Sequence, residues 1–418
     1  MLRGGIRSNL FRDKGLSLSI LIFLIASAIA AFASSSPLSQ NIYGTYGRNT
    51  GLLTYMCLAF ILLAASNLNN EKSFRIIAAG LLGAGLINVL YSTYVLVFSD
   101  PVSWNNPYGA ILGTFGNPNF ISSFLGIFIA GTLSIALSPK LELPLRAAGL
   151  LFGFLAFYEI SNTNSIQGYV VTAAGSAFVI YLKIRSRGNK VIELGYIFGI
   201  VVLGIASIAG VFQQGPLARF LYQGTTVFRE QYWKAAINMG STHLFTGVGM
   251  DAYGDNYRLQ RDIQALKTPG VQVVSNSAHN VILDFFASGG IFLLISYVSI
   301  VLLAGISLVR IILRKREFDY VFSVLAASWL GYQLQSIISI NQIGLAIWGW
   351  LLSGALIGFD KATRNFELVG HPQQHSQVLK IPEGVGNRVS KLFLSLPNCP
   401  FLSPGTRTYP HLVVERLI

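Results

Sequence analysis

Charged residues are scarce in this 418-residue chain. Asp, Glu, Lys and Arg together make up 11% of it, whereas hydrophobic residues make up 52%, and the mean hydropathy is +0.56. Soluble domains need a far more charged surface than this. The composition therefore excludes a string of soluble domains and predicts a protein that crosses a membrane several times.

Cysteine is almost absent. Only Cys57, inside an apolar run, and Cys399, near the end of the sequence, are present. Two such cysteines provide neither a disulfide framework nor a cysteine-ligated metal site. His, Asp and Glu also do not group at metal-ligand spacings. We therefore expect no metal and no cofactor, and a chemistry that depends on the polar side chains of the protein itself.

Basic residues outnumber acidic ones, which gives a formal net charge of +13. They occur in short clusters between apolar runs, a pattern that is typical of membrane topology signals and not of nucleic-acid binding. We therefore expect a lipid bilayer as a partner and no nucleic acid. The first apolar run resembles a signal peptide, but many equally apolar runs follow it, so we expect it to be retained as a span.

Ten apolar runs have about the length that a helix needs to cross hydrocarbon. Because each backbone amide in lipid must be satisfied within its own segment, they predict an all-α polytopic transmembrane helical bundle of about ten spans. If the runs alternate in direction, the Lys and Arg of the short connections fall on one side, except Arg48. The runs lie near 16–34, 51–68, 76–98, 119–138, 147–160, 168–182, 191–212, 280–309, 320–340 and 343–359.

This alternation predicts five regions with both ends of the chain in the cytoplasm. They are a cytoplasmic N-terminus at 1–15, spans one to seven at 16–212, an external loop at 213–278, spans eight to ten at 279–360, and a cytoplasmic tail at 361–418. The loop is too long to be a turn and should contain short helices.

Within the loop, "TTVFREQYWKAAINMG" predicts an amphipathic helix. Its apolar residues Phe228, Tyr232, Ala236 and Met239 recur at helical spacing, and Gly240 is a plausible stop. The glycines that follow, at 247, 249 and 254, predict a compact piece that is rich in turns. Since long loops commonly carry function, we expect the site here.

Polar residues of the bundle collect on the predicted outer side. Taken singly, each is more often a helix cap or a bridge between helices than part of a site. Their shared side nevertheless predicts a cavity that is open to the external face. The set consists of Glu159, Asn162, Asn164, Gln167, His279, Asn280, Asp284, Gln335, Asn341 and Gln342, together with Arg48, Arg219 and Arg229.

His279 stands directly before the eighth apolar run, in "SNSAHNVILDFF". If Asn276 or Ser277 is the N-cap, His279 falls in the first helical turn, where the helix dipole disfavours imidazolium. A neutral imidazole readily accepts a proton, and the same helix end is a natural anion site. A histidine that merely lies at a wet helix end is an equal alternative. Asn280 and Asp284 should share a helix face.

The turn "GTFGNPNF" precedes the fourth run. Asn117 before Pro118 should be extended, and Asn119 should cap the helix that follows. Such a turn is usually structural, so taken alone it indicates little about function.

Five segments together resemble the O-antigen ligase and polymerase family, bacterial polytopic glycosyltransferases of the GT-C type. Each motif alone is weakly specific, but Arg-x-x-x-Trp, Gly-x-Gly and His-Asn in this order are more specific as a set. The segments are "GRNTGLLTY" at 47–55, "FGNPNF" at 115–120, "FREQYWKAAINMGSTHLFTGVGMDAYGDNY" at 228–257, "AHNVILDFFASGGIFLLISY" at 278–297 and "YQLQSIISINQIGLAIWGWLLSGALIG" at 332–358.

The resemblance implies that an undecaprenyl-diphosphate-linked glycan is transferred, without metal, to a hydroxyl of a glycan or lipid-glycan acceptor. The reaction would take place at the outer face of the bacterial cytoplasmic membrane. His279 would act at the acceptor hydroxyl, and Arg229 would hold the diphosphate. The expected substrate-binding set also includes Trp233, one turn from Arg229, and Asn280.

This sequence departs from the family at one position. Where the family often has Ser-Arg-Gly, Gln167 precedes Gly168. Diphosphate binding should then depend more on Arg229, Arg219 and Arg48, and a non-catalytic assembly partner becomes an alternative. A transporter or flippase for lipid-linked sugars is another, but it should place polar residues near the membrane midplane. The polar residues here crowd the outer side, which favours the enzyme.

Overall fold

The computed structural model describes residues 13–103, 106–221 and 225–368. These residues form α-helices and short helical turns, with no strand among them, so the predicted all-α class is confirmed. The predicted tail at 361–418 lies mostly outside the described residues, as does most of the predicted N-terminal segment at 1–15.

Helices occupy the positions of all ten apolar runs. Eight of them are long and apolar enough to cross a membrane. Of the other two, α3 has 15 residues, and α7 carries Lys183 and Arg185 in its last turn. The ten helices are α1 Lys14–Ala33, α3 Leu52–Ser66, α4 Glu71–Phe98, α5 Pro118–Ala136, α6 Leu143–Ser161, α7 Ile166–Ser186, α8 Lys190–Val211, α13 Val281–Arg314, α14 Tyr320–Ile338 and α15 Ile343–Leu368. The short helix α2 Leu38–Tyr43 follows α1.

The centre of the bundle is formed by α5, α7 and α14. Nearly every residue of α5 is buried, and small residues allow its neighbours to approach closely. A Cβ on Gly168 of α7 would collide with the backbone of Ser122 in α5. By contrast, α8 has only Gly210 buried, so in a membrane most of its apolar side chains would face lipid.

The connection between α8 and α13 contains α9 Ala218–Leu221, α10 Thr225–Thr242, α11 Tyr253–Gln260 and α12 Ile263–Ala265. The predicted loop helix is α10, but it continues past Gly240. The expected stop is wrong because Gly240 packs against the ring of Phe286, where a larger residue would not fit. The turn predicted at Gly247 and Gly249 is confirmed by their positive φ angles of 63° and 120°. Gly254 lies inside α11 instead.

The apolar face of α10 has the predicted helical spacing. Tyr232, Ala236 and Met239 are buried in one hydrophobic cluster with Tyr253 and Tyr257 of α11. Ala278, just before α13, and Ala287, in its second turn, belong to the same cluster. The loop therefore packs directly on the first turns of α13.

Backbone hydrogen bonds also join the loop to α13. The helix is interrupted at Gly290, which has φ 67° and ψ −157°. Val248 N–H donates to Ala287 O at 2.8 Å, Gly249 N–H to Ser288 O at 3.0 Å, and Ile291 N–H to Leu244 O at 2.7 Å. The loop thus satisfies the backbone groups that the interruption releases, as a membrane helix requires.

Candidate active site

A cavity of about 330 Å³ lies where the loop meets the starts of α5, α7 and α13. This is at the lower end of the range for small-molecule sites, roughly 300–1,000 Å³. No carboxylate is among its described lining residues. They are Asn117, Asn119, Phe120, Gln167, Phe228, Arg229, Tyr232, His279, Ser339 and Ile340. Three of the predicted site residues, namely His279, Arg229 and Gln167, therefore share one cavity.

The backbone at His279 differs from the prediction. The N-cap of α13 is Asn280, whose side-chain oxygen accepts from the N–H of Ile282 at 3.0 Å and of Leu283 at 3.1 Å. The expected caps Asn276 and Ser277 are wrong, and His279 lies outside the first turn. His279 instead has a left-handed φ of 52°, and its N–H donates to Ser277 Oγ at 3.0 Å.

The imidazole of His279 stacks on the ring of Tyr232, with centroids 5.5 Å apart and planes 28° apart. Burial lowers the pKa of His279 to about 4, and the charges of Arg229 and Arg48 contribute to this shift. The imidazole is therefore neutral near pH 7. This agrees with the predicted protonation state, but burial and two arginines take the place of the expected helix dipole.

Arg229 is partly buried on α10 and has no carboxylate partner among the described residues. Burial lowers the pKa of its guanidinium, opposed by the nearby Tyr232. Among other partly buried arginines, Arg48 has a carboxylate partner in Asp251 and Arg185 has one in Glu193. Arg146 and Arg261 are also partly buried and donate instead to backbone carbonyls. A desolvated cation without a counter-ion is costly, and an anionic ligand would supply the missing charge.

Arg48 lies in a second, smaller chamber of about 20 Å³, which Asp251, Asn276 and Asp284 also line. Its Nε lies 3.5 Å from an oxygen of Asp251, and its guanidinium donates to the backbone oxygen of Asn276. Asp284 accepts from the N–H of Ala278 at 2.6 Å. Arg48 therefore contacts the backbone of the segment that carries His279, but it does not line the larger cavity that contains His279.

Three other predicted residues also do not line the cavity. Arg219 is exposed on α9, with its guanidinium 6.0 Å from the ring centre of Phe220. Trp233 packs on the hydrophobic cluster of the loop. The side-chain oxygen of Asn280 is occupied by the cap.

The sequence did not identify Asn117, Asn119 or Tyr232 as site residues. The predicted extended backbone at Asn117 is confirmed, with φ −152° and ψ 132°. The expectation that Asn119 caps α5 is wrong, because Asn117 is the N-cap and accepts from Asn119 N–H at 2.9 Å. Asn119 is left free to accept from Ser165 Oγ at 2.7 Å. The feature of the sequence that could have pointed to these two site residues is the pair of asparagines that flank Pro118.

Comparison with known protein families supports the resemblance. A family model described as O-antigen ligase matches residues 148–298. This stretch includes α7, the loop and the start of α13, and therefore Gln167, Arg229 and His279. A search of curated proteins gives no significant match. The resemblance expected from the sequence is confirmed over this stretch.

Proposed function

We propose that this membrane protein, in which residues 148–298 match a family model described as O-antigen ligase, is a glycosyltransferase of cell-surface polysaccharide synthesis. It moves an undecaprenyl-diphosphate-linked glycan to the hydroxyl of a glycan or lipid-glycan acceptor. One observation carries the proposal: the unpaired Arg229 and the neutral His279 line the same cavity, which has no carboxylate among its described lining residues.

Arg229 holds the leaving group. As the bond between the anomeric carbon and the phosphate oxygen breaks, negative charge develops on the diphosphate. A guanidinium grips two phosphate oxygens at once with its planar fork, and it keeps its charge when partly buried. The lipid diphosphate is the leaving group. By balancing its developing charge, Arg229 stabilises the transition state in place of a divalent ion.

His279 accepts the proton of the acceptor hydroxyl. A sugar hydroxyl is a poor nucleophile until a base removes its proton, which typically contributes about 10²–10⁴-fold to the rate. The new bond joins the acceptor oxygen to the anomeric carbon, and the proton moves to the imidazole. A bound diphosphate offsets the charge of Arg229, so it raises the pKa of His279 and makes the imidazole a stronger base.

The reaction takes place at the outer face of the bacterial cytoplasmic membrane. The distribution of Lys and Arg supports this orientation, and the cavity lies at the starts of α5, α7 and α13, where a lipid-linked substrate meets a water-borne one. Cysteine labelling tests the orientation after Cys57 and Cys399 are replaced by serine. An impermeant reagent should label Leu259→Cys but not Gly188→Cys, and the reverse pattern would invert the topology.

The test of the activity uses purified protein in detergent, undecaprenyl-diphosphate glycan, a candidate acceptor and a chelator. We expect transfer that the chelator does not affect, because Arg229 supplies the charge. Loss of transfer with the chelator would indicate a metal-dependent enzyme. No transfer, combined with movement of labelled lipid-linked sugar across liposomes, would identify a transporter.

A further inference from the structure

Three carboxamide side chains, Asn117, Asn119 and Gln167, line one wall of the cavity. The oxygen of each accepts a hydrogen bond from the protein. Asn117 Oδ1 accepts from Asn119 N–H at 2.9 Å. Asn119 Oδ1 accepts from Ser165 Oγ at 2.7 Å. Gln167 Oε1 lies 3.3 Å from Ser123 Oγ and shares the hydroxyl proton with the backbone oxygen of Asn119, which lies 2.8 Å from Ser123 Oγ. Since no described residue accepts from their NH2 groups, these remain free to donate.

The orientation of these amides is set by the starts of two helices. Asn117 is the N-cap of α5, and a cap requires the side-chain oxygen to face the helix. Ser165 is the N-cap of α7 and accepts from Gln167 N–H at 3.3 Å, so its own hydroxyl proton is directed to Asn119. Gln167 is 2% exposed. The amides are thus held by the fold in one orientation.

The cavity consequently offers mainly N–H donors. A sugar hydroxyl both donates and accepts, so a sugar-binding wall needs acceptors, but the carboxamide oxygens of this wall are already used. Phosphate oxygens only accept, and Arg229 lines the same cavity. The positive ends of α5 and α7 add to the preference for an anion.

We infer that Asn117, Asn119 and Gln167 form a cradle for the phosphate oxygens of the lipid-linked substrate, to which Arg229 supplies the charge. This inference depends on the proposed function, since it assigns a diphosphate to that site. The amide NH2 groups are neutral, so the cradle positions the diphosphate while the guanidinium balances its charge.

The test exchanges each amide for a carboxylate of the same shape. Asn117→Asp keeps the cap of α5, because aspartate caps a helix as well as asparagine does. Asn119→Asp keeps the acceptor for Ser165 Oγ. Both replace the NH2 donor by an anionic oxygen. We expect each variant to bind farnesyl diphosphate at least about tenfold more weakly, measured by titration calorimetry on the full protein in detergent.

Asn189→Asp is the matched control. Asn189 is the N-cap of α8, with its oxygen accepting from the N–H of Val191 at 3.1 Å and of Ile192 at 3.2 Å, and it does not line the cavity. The same chemical change at the same kind of position should leave farnesyl diphosphate affinity at the wild-type value.

Gln167→Arg tests the cradle through a gain of affinity, which a misfolded protein would not show. A second guanidinium in the cradle should tighten farnesyl diphosphate binding by about tenfold, because charged donors bind phosphate more strongly than neutral ones. Unchanged or weaker binding would remove Gln167 from the cradle.

Other outcomes separate the cradle from the proposed function. If both aspartate variants bind farnesyl diphosphate like the wild type while Arg229→Lys binds it weakly, the cradle is wrong and the proposed function stands. The cradle is also wrong if the aspartate variants keep this affinity but change which glycan is transferred, since the amides would then contact sugar. If the wild-type protein neither binds farnesyl diphosphate nor transfers glycan, both proposals fail.

Discussion

Arg48 and Arg229 lie in neighbouring chambers on the predicted outer side of the bundle, yet among the described residues only Arg48 of the two has a carboxylate partner. Both influence the same histidine, because both lower the pKa of His279. Both were candidates for diphosphate binding from the sequence, with Arg229 preferred through the family resemblance. The comparison teaches that an arginine indicates an anion site when the fold desolvates it and leaves its charge unbalanced.

The two chambers also act on different parts of the histidine segment. In the chamber of Arg48, side chains hold the backbone: Arg48 donates to Asn276 O, and Asp284 accepts from Ala278 N–H. In the cavity of Arg229, the side chains of Arg229 and His279 line a volume of about 330 Å³. The first chamber therefore fixes where His279 stands, and the second is where a ligand has room to bind.

The largest effect should come from His279→Asn, which removes the base and leaves both chambers in place. Asparagine keeps a hydrogen bond but cannot accept the proton at neutral pH. We expect transfer to fall by about 10²–10⁴-fold while farnesyl diphosphate affinity stays near the wild-type value. His243→Asn is the control, since His243 is exposed in the loop and does not line the cavity. Full transfer by His279→Asn would defeat the role as a base.

The second effect tests the unpaired arginine. Arg229→Lys keeps the charge but loses the planar fork. We expect farnesyl diphosphate affinity to fall by about 10–100-fold, with an unchanged melting temperature. The matched variant Arg48→Lys should keep the wild-type affinity, because Arg48 is committed to Asp251. Equal losses of farnesyl diphosphate affinity in the two variants would contradict the assignment of the diphosphate to the cavity of Arg229 alone.

The third effect tests the paired arginine through stability. Arg48→Gln leaves Asp251, whose side chain is 1% exposed, without its cation. We expect a loss of about 2–3 kcal/mol, below the value for a fully buried pair because Arg48 retains some exposure. Thermal unfolding in detergent measures it. Adding Asp251→Asn should recover part of the loss, and a further drop in the double variant would contradict this account.

A fourth prediction concerns pH. Because burial lowers the pKa of His279 to about 4, the free enzyme loses its base only as the pH falls through that value. The acid limb of kcat/KM should therefore lie near pH 4, and the limb of kcat should lie higher, since bound diphosphate raises the pKa. Arg229→Gln should also move the limb of kcat/KM to higher pH. A limb that stays in place would exclude His279 as the titrating group.

The smallest effect is expected at Asn280. Asn280→Asp preserves the cap of α13, so transfer and stability should remain close to the wild-type values, whereas Asn280→Ala should cost about 1 kcal/mol. Thermal unfolding and the transfer assay together distinguish the two variants. A large loss of transfer in Asn280→Asp without a loss of stability would restore Asn280 to the substrate-binding set.

The fold was largely predictable from the sequence, and the site only in part. Apolar runs determine helices in a membrane through local composition, so the positions of α4, α13 and α14 could be predicted closely. The N-cap of α13 could not, because Asn276, Ser277 and Asn280 are all competent caps within five residues. The choice depends on Arg48, from a distant part of the chain, and on Asp284, in the first turn of α13, which both hold the backbone before Asn280.

Pairing and amide orientation were unpredictable for the same reason. The ion pair of Arg48 depends on Asp251, and the direction of the Asn119 amide depends on Ser165. In both pairs the partners are far apart in the sequence. The position of Gln167 in the cavity, by contrast, was expected from the family resemblance, because a motif fixes a place in the fold even where the residue differs.

The interruption of α13 at Gly290 has a consequence for how such proteins diversify. The loop is attached there through backbone groups of Leu244, Val248 and Gly249, so this attachment tolerates changes of those side chains. Exchange of α11 and α12 between related chains should therefore be tolerated as long as Gly290, its backbone partners and the buried rings of Tyr253 and Tyr257 are kept. New acceptors would then be acquired by recombination of the outer loop helices, while the histidine and its supports are inherited unchanged.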